Sequence, residues 1–530
     1  MVTAVHQGAS FEDLGPGPDS CGQARSQSDS LPSARAPTLA SWQLPPKRCT
    51  GLQWLRALGE LPANDHQCDP AAQQSAWGGG RRGRSRGSAA PADRPGPRAG
   101  CVGATAQHGV DGRSVSSEIY ACPDCEGVYR LFRANTMTPT FMRAPGKVSG
   151  MFALECSMDE LAHELGMDPF ELRLRNTPTW TPCRAARGPA AVCGSATSVV
   201  PALRLVGPGP PAGHAPGGRP ADRHRHGDRL LSRGPPANPQ RARARLYADG
   251  TAVVQAATPD FGTGVTTVMT QVAADGLGMG VDRCRFENGD TDLPDIAAVV
   301  GSAGAGMISA AVRAAATALR EQLIKRAVGD PRSPLHGADP VDVVVRDGVM
   351  TAGTASDAYA DLLQRNFQPD AEASGQWSPP AGEVPYRMMT FGARFAEVAV
   401  DAELGLVRVR RMTGAFAPGR VLNAKTARSQ LTGHMLWGLG QALLEANHMH
   451  PGTGRWANSS LGEYLVAVNA DAPDVDVELI EVEDVIVNPR GVKGVGEIGQ
   501  VGAAAAIANA VHHATGRRVR KLPIVIEDLL

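Results

Sequence analysis

One carboxylate stands alone in a run of glycines: Glu497, in GVKGVGEIGQVG, Gly491–Gly502. An acid with no partner nearby in sequence is an unusual choice among residues that permit a positive-φ loop, and its neighbours alone leave its task open. The plainer reading is that it caps the helix suggested by Ala503–Ala510. A second candidate is Arg143, in TPTFMRAPG. Its Ala-Pro-Gly turn could aim a permanent cation with five donors into a cavity, there to steady negative charge developing on a substrate oxygen. Two further stretches place glycines just before helix-like runs: Gly262-Thr263-Gly264 in TPDFGTGVTT, and Gly301-Ser302 with Gly304 in VVGSAGAGM. Backbone N–H groups at such starts suit an anion. Neither is a dinucleotide fingerprint or a P-loop, and each alone is equally well a structural turn.

The elements that must position these residues are legible from pattern. MFALECSMDELAHELG puts Leu154, Met158, Leu161 and Leu165 on one helical face, with Gly166 at C′. DPFELRLRN then gives Asp168 as N-cap, Pro169 at N1 and Glu171 at N3. RLYADGTAVVQAAT predicts a hairpin around Asp249-Gly250, and FAEVAVDAELGLVRVRRM another near Gly405. SAAVRAAATALREQLIKRAV and ARSQLTGHMLWGLGQALLEA read as helices, VDVELIEVEDVIV as a strand, and VGAAAAIANAVHHATG as a helix ending at Gly516. The mixed order, without regular βαβ alternation, predicts an α+β fold.

Composition narrows the function classes. The chain has 530 residues, with Lys plus Arg and Asp plus Glu equal at 53 each. Arginine clusters at Arg81–Arg98 and Arg219–Arg245 lack interleaved aromatics, so no nucleic-acid partner is expected. Ten scattered cysteines are no disulfide framework, and the lone Cys122-x-x-Cys125 pair has no second pair for zinc. Iron–sulfur spacing is absent. The histidines (His214, His224, His226, His434, His448, His450, His512 and His513) assemble no metal site by spacing. No G-x-S-x-G motif supports a hydrolase. The sequence shows no signal peptide and no membrane-length apolar run, so a cytoplasmic protein is expected, with export alongside a partner subunit left open.

Taken together, TPTFMRAPG…FALECSMDELAHELGMDPFELRLRN, DGTAVVQAATPDFGTG, GRVLNAKTARSQLTGHMLWGLGQALLE and GVKGVGEIGQVGAAAAIANAVHHATGRRVRKLPI resemble, in this order, the molybdenum-binding large subunit of the xanthine oxidase/aldehyde oxidase family. The M-R-A-P-G loop is like that of the bacterial aldehyde oxidoreductase branch. The resemblance covers about Ser117–Asn176 and Arg241–Leu530. It implies a molybdopterin cofactor, plain or in the cytosine-dinucleotide form, that holds molybdenum without protein ligands. It also implies oxidative hydroxylation of small aldehydes or N-heteroaromatics by a molybdenum-bound hydroxide. Glu497 would be the general base and Arg143 the substrate- or transition-state-stabilising cation. Gly262, Thr263, Gly264, Gly301, Ser302, Gln430, Gly496 and Gly499 would contact the cofactor. Electrons would leave through iron–sulfur and FAD subunits.

The resemblance implies molybdenum-binding domains over 117–180 (arginine loop and helices) and 241–530, with Pro/Gly/Arg-rich, disordered stretches at 1–116 and 181–240. Ala63–Ser117 lacks Leu, Ile, Met, Phe, Tyr, Lys and Glu, and Thr181–Arg245 lacks Lys, Glu, Ile, Met, Phe, Tyr and Trp. Such composition buries too little apolar surface to offset chain entropy. Out-of-frame translation of a GC-rich gene is an alternative origin for it. The chain departs from the family pattern in four places. WGGGRRGRSRG keeps glycines without the usual phenylalanine, Thr263 stands for Gln, Ala424 for Pro, and Arg394 occupies a position often His or Gln. A catalytically silent remnant, or an assembly subunit without cofactor, is the competing reading.

Overall fold

The computed structural model describes residues 74–78, 119–120, 126–130, 142–176, 239–296, 299–378, 390–450, 452–481, 484 and 487–530. The C-x-x-C pair, the cluster at 81–98 and most of the 181–240 stretch lie outside them. Strand β1 (Gln74–Gly78) pairs antiparallel with β2 (Glu126–Arg130), so a strand occurs within the stretch read as disordered from composition. Helix α1 (Lys147–Glu164) follows the arginine loop and α2 (Pro169–Arg175) follows α1. Gly166 is left-handed at φ 59°, and its N–H donates to His163 O at 3.0 Å, closing α1. Asp168 Oδ1 accepts from the N–H groups of Phe170 and Glu171 at 2.8 and 3.0 Å and starts α2.

The next segment supplies β3 (Gln240–Tyr247), β4 (Ala252–Gln255), α3 (Val265–Leu277), β5 (Cys284–Glu287) and the long α4 (Gly304–Gly329). Asp249 Oδ1 accepts from Thr251 N and Oγ1 at 2.8 and 2.7 Å, and Gly250 sits at φ 84°, which closes the β3–β4 hairpin. The meander β6 (Val344–Arg346), β7 (Val349–Ala352) and β8 (Ala355–Ala358) follows, then α5 (Tyr359–Arg365) and β9 (Asp370–Trp377). Strand order in the main sheet is β5-β4-β3-β9, antiparallel except for the parallel β4–β5 pair. Helix α4 lies on this sheet through Ile308, Ala311, Val312, Ala315, Leu319 and Leu323, all fully buried. It approaches so closely at Gly375 that a Cβ there would sit 2.1 Å from Ala315 N.

The last segment repeats the plan. Strands β10 (Phe391–Val400) and β11 (Val407–Ala417) form the second hairpin, α6 (Ala424–Leu443) crosses over, β12 (Asp474–Leu479) pairs parallel to β11, and α7 (Ala503–Thr515) packs on the sheet. The order strand, strand, helix, parallel strand, helix therefore occurs twice. Of the strand predicted over VDVELIEVEDVIV, the first five residues, 475–479, lie in β12, which begins one residue earlier at Asp474. Each unit has its own hydrophobic core: one under α3 and α4, the other among β10, β11, α6 and α7, which Phe152 and Cys156 of α1 also join. Among its described residues, the single domain expected over 241–530 thus holds two large cores, with a small separate cluster at Ala393, Ala417 and Ile480.

Helix α1 departs from the one-sided face that its apolar spacing predicts. Leu154 and Met158 are buried, but Leu165 is exposed, and Glu155, Asp159 and Glu160 are buried too. Arg173 of α2 answers two of these acids, reaching Glu155 at 2.7 Å and Asp159 at 2.6 Å, and Tyr120 donates to Glu155 at 2.7 Å. Arg518 and Arg520 reach Glu160 at 3.1 and 2.8 Å. Ion pairing turns the polar face into a second buried face that clamps α1 onto the C-terminal unit. Among the described residues, no helix is long and apolar enough to cross a membrane, and no group of three His, Cys, Asp or Glu could hold a metal ion.

Candidate active site

The twofold plan places four loops around one cleft of about 680 Å³. Two follow the second strand of each hairpin: Thr258–Gly264 after β4, and Pro418–Asn423 after β11. Two precede the packed helices: Gly301–Ala303 before α4, and Val492–Gln500 before α7. The arginine loop at Met142–Gly146 closes the remaining side. Most of the lining is apolar, including Met142, Val268, Met269, Val299, Leu422 and Val495. Arg143, Gln430, Ser302 and Glu497 gather where the arginine loop meets the loop of Glu497, while Thr258, Thr263, Arg420, Asn423 and Thr426 line the cleft elsewhere.

Glu497 does not cap α7. The N-cap is Gly502, at φ 90°, with no side-chain cap. Instead Glu497 Oε1 accepts from Ala144 N at 3.3 Å and Oε2 accepts from Ser302 Oγ at 3.1 Å. Ala144 (φ 54°) and Ser302 (φ 60°) are both non-glycine residues in the left-handed region, where most side chains avoid lying. Burial pushes the Glu497 carboxyl above its ordinary range, against the lowering pull of those two donors and of the Arg143 charge.

Arg143 Nε donates to Gly496 O at 2.5 Å and Nη2 donates to Gln430 Oε1 at 2.6 Å. Burial lowers the arginine's pKa, and the neighbouring Glu497 works in the opposite sense. The arginine loop, α6 and the loop of Glu497 are therefore joined through one guanidinium. The Glu497 loop also needs its glycines for close approach: a Cβ on Gly494 would lie 2.3 Å from Ser302 O.

Arg143, Gly262, Thr263, Gly301, Ser302, Gln430, Gly496 and Glu497 all line the cleft. Gly264 and Gly499 do not. Gly264 is the left-handed N-cap of α3. Gly499 turns away toward α6, where a Cβ would meet His434 Cβ at 2.6 Å. The free anion-binding turn expected at Gly262–Gly264 is also altered. Asp260 Oδ1 accepts from Gly262 N at 3.0 Å, and its Oδ2 accepts from Thr266 N and Oγ1 at 3.3 and 3.0 Å. Partial burial acts against this carboxylate, yet these donors hold its pKa below the ordinary value.

Several residues of the cleft are missed by sequence reasoning. Asn423 Oδ1 accepts from Thr426 N at 2.9 Å, capping α6, while its Nδ2 donates to Gln271 Oε1 on α3 at 3.0 Å, so one side chain bridges the two units. An asparagine just before a helix-like run is a local signal that could have found its first role, but nothing local points to the second. Ala424 takes the N1 position of α6, where an amide needs no helical partner and proline or alanine serves alike. Lys493, beside the cleft, is buried and paired with Asp484 at 3.1 Å.

Comparison with known proteins bears on what the cleft holds. Residues 99–177 and 224–473 match two models of the molybdopterin cofactor-binding domain, beginning ahead of the motifs at Ser117 and Arg241. The chain is 36% identical over 424 residues to the aldehyde oxidoreductase molybdenum-binding subunit PaoC of Escherichia coli strain K12, covering 78% of this chain and 55% of that protein. It is 28% identical to the putative xanthine dehydrogenase molybdenum-binding subunit XdhA of the same organism, over 81% of this chain and 58% of that protein. The chain thus spans somewhat more than half the length of these two relatives. The fold is similar to quinoline 2-oxidoreductase from Pseudomonas putida 86, with a TM-score of 0.63 at 21% identity over 80% of this chain and 57% of the other. On its sequence matches and its fold, the chain belongs to the xanthine oxidase/aldehyde oxidase family and carries that family's molybdopterin cofactor-binding domains.

Proposed function

We propose that this chain is the molybdopterin-binding large subunit of a molybdenum hydroxylase, oxidising aldehydes or N-heteroaromatic compounds. The observation that carries the reading is the placement of Glu497: a carboxylate of raised pKa, lining a cleft, with Arg143 beside it. The cleft's volume lies within the range usual for cofactor and ligand sites, roughly 300–1,000 Å³. Its lining leaves space and a donor for a polar group. A side chain at Gly262 would project into open space, and Gln430, with its oxygen engaged by Arg143, keeps an amide nitrogen without a partner among the described residues. Gly262, Thr263, Gly301, Ser302, Gln430 and Gly496 would hold the cofactor.

When bound, the cofactor supplies a two-electron acceptor and the oxygen nucleophile. The net reaction takes oxygen from water and releases two protons and two electrons. Glu497, when ionised, would accept a proton at its carboxylate. Ser302 and the Ala144 amide orient the carboxylate, and the remaining Arg143 N–H groups steady negative charge on the substrate oxygen or ring nitrogen. The apolar lining excludes water around these groups and strengthens their interactions. The electrons pass to iron–sulfur and FAD subunits in the cytoplasm. That both curated relatives are named as subunits supports this assembly.

The test uses the chain co-purified with its partner subunits, assayed with benzaldehyde and an artificial electron acceptor. Glu497→Gln is expected to lower turnover by at least the roughly 10²–10⁴-fold typical of a positioned base, with molybdenum content unchanged. Wild-type protein without molybdenum, or a Glu497→Gln protein with normal turnover, would refute the reading.

A further inference from the structure

The loop of Glu497 is gripped from two sides. Arg143 takes the carbonyl before the carboxylate, Gly496 O, and Arg394 takes the carbonyl after it, Ile498 O, through Nη2. The two arginines come from different places: one from the loop before α1, the other from β10. Arg394 is only 4% exposed. Its Nη1 donates to Gly392 O of its own strand at 2.6 Å, and its guanidinium carbon lies 4.8 Å from the centre of the Phe416 ring. The head group is thereby held between its own strand and the ring while Nη2 reaches the loop of Glu497. On the α6 side the same loop packs against fully buried His434, with no room for a side chain at Gly499.

We propose that Arg394 is a positioning residue for Glu497: by fixing Ile498 O against β10 it sets the direction in which the carboxylate enters the cleft. The inference rests on the reading of Glu497 as the base. With Ile498 O released, the backbone under Glu497 can shift even though Ala144 N and Ser302 Oγ still donate to the carboxylate, and a misplacement of about 1 Å can cost roughly 10²-fold in rate. The other charged or titratable groups around the loop include Arg143, His434 and the loop's own Lys493, which pairs with Asp484 at 3.1 Å; burial lowers the pKa of Arg394 itself to about 9, against the pull of the Glu155 charge. His434 is pushed down to about 3 by burial and by the charges of Arg143 and Arg394, so it is neutral wherever the base is ionised.

Two variants and two measurements test the claim. Arg394→Met removes both donations while keeping bulk. Arg394→Lys keeps the charge but reaches only one carbonyl. In the complex assayed with benzaldehyde, Arg394→Met is expected to lower kcat about 10²-fold with molybdenum retained and KM changed little. The acid limb of its kcat/KM profile should move to lower pH, because a loosened carboxylate regains water. A loss of folded protein would scale the profile without moving it. Hydrogen exchange of the Val495–Gln500 amides, read on the purified chain irrespective of turnover, is expected to quicken at least tenfold while α6 is unchanged. Arg394→Lys should fall between Met and wild type on both measures, and it carries the test if the Met variant does not fold. Unchanged exchange in that loop would overturn the inference, as would a profile superimposing on wild type. Faster exchange in a chain that has no hydroxylase activity would uphold the clamp and sink the proposed function instead.

Discussion

Glu497 is costly to keep charged, and that cost has a measurable sign. Its carboxyl titrates above the ordinary glutamate value because burial disfavours the anion. The folded chain therefore binds a proton that the unfolded chain has already released, across the window between the two values. Stability falls as pH rises through that window, and above it the full penalty remains. Glu497→Gln is expected to melt about 2 °C higher than wild type at pH 7.5, with the difference vanishing near pH 4, as followed by thermal unfolding. The same shift predicts that kcat/KM falls as pH drops through a value above the ordinary glutamate range, since only the anion accepts a proton. Arg143→Ala frees Gly496 O and Gln430 together. A drop of roughly 10²–10³-fold in kcat/KM for benzaldehyde is expected, the scale for loss of a preorganised donor. An unchanged value would remove the arginine from the chemistry.

At the scale of elements, the fold depends on a few very close approaches. Gly375 of β9 has no space for a methyl group against the α4 backbone, so Gly375→Ala should destabilise by about 1–3 kcal/mol in denaturant unfolding. Gly329, at the end of α4, meets nothing within 4 Å, and Gly329→Ala should be neutral or stabilise by up to about 1 kcal/mol. Arg173→Met leaves Glu155 and Asp159 buried without their cation and should cost about 3–5 kcal/mol. Local signals made much of this layer legible in sequence. Asp168 capping α2, Gly166 closing α1, Asp249-Gly250 turning the first hairpin and Gly516 ending α7 all act within a few residues of themselves. The burial of α1's acidic face was not legible, because the arginines that answer Glu160 lie some 360 residues away. Arg241–Arg245, counted by composition in a basic cluster, lies in β3, where Arg245 pairs with Glu372 at 2.7 Å. In the cleft, Glu497, Arg143 and the glycine turns stood out through unusual local company. Arg394 stood out only as a departure from the family pattern and the bridging side of Asn423 not at all, since each works through a backbone or an amide that only the tertiary fold brings near.

At the scale of the molecule, two units with separate cores meet at the cleft, joined across it by the Asn423–Gln271 bond and flanked by the arginine loop. A ligand filling the cleft contacts both. Calorimetry on cofactor-free protein is expected to show two overlapping transitions, which merge and rise when the cofactor is bound. A ligand at about 100 times its Kd adds about 2.7 kcal/mol to the state that binds it. A single transition at the same temperature in both forms would contradict this coupling. Asp260 adds a last consequence. By satisfying the amides of the Gly262 turn with the chain's own carboxylate, it lets the turn set its shape during folding, before any guest arrives. Capture of the guest then forfeits little affinity to ordering of the host.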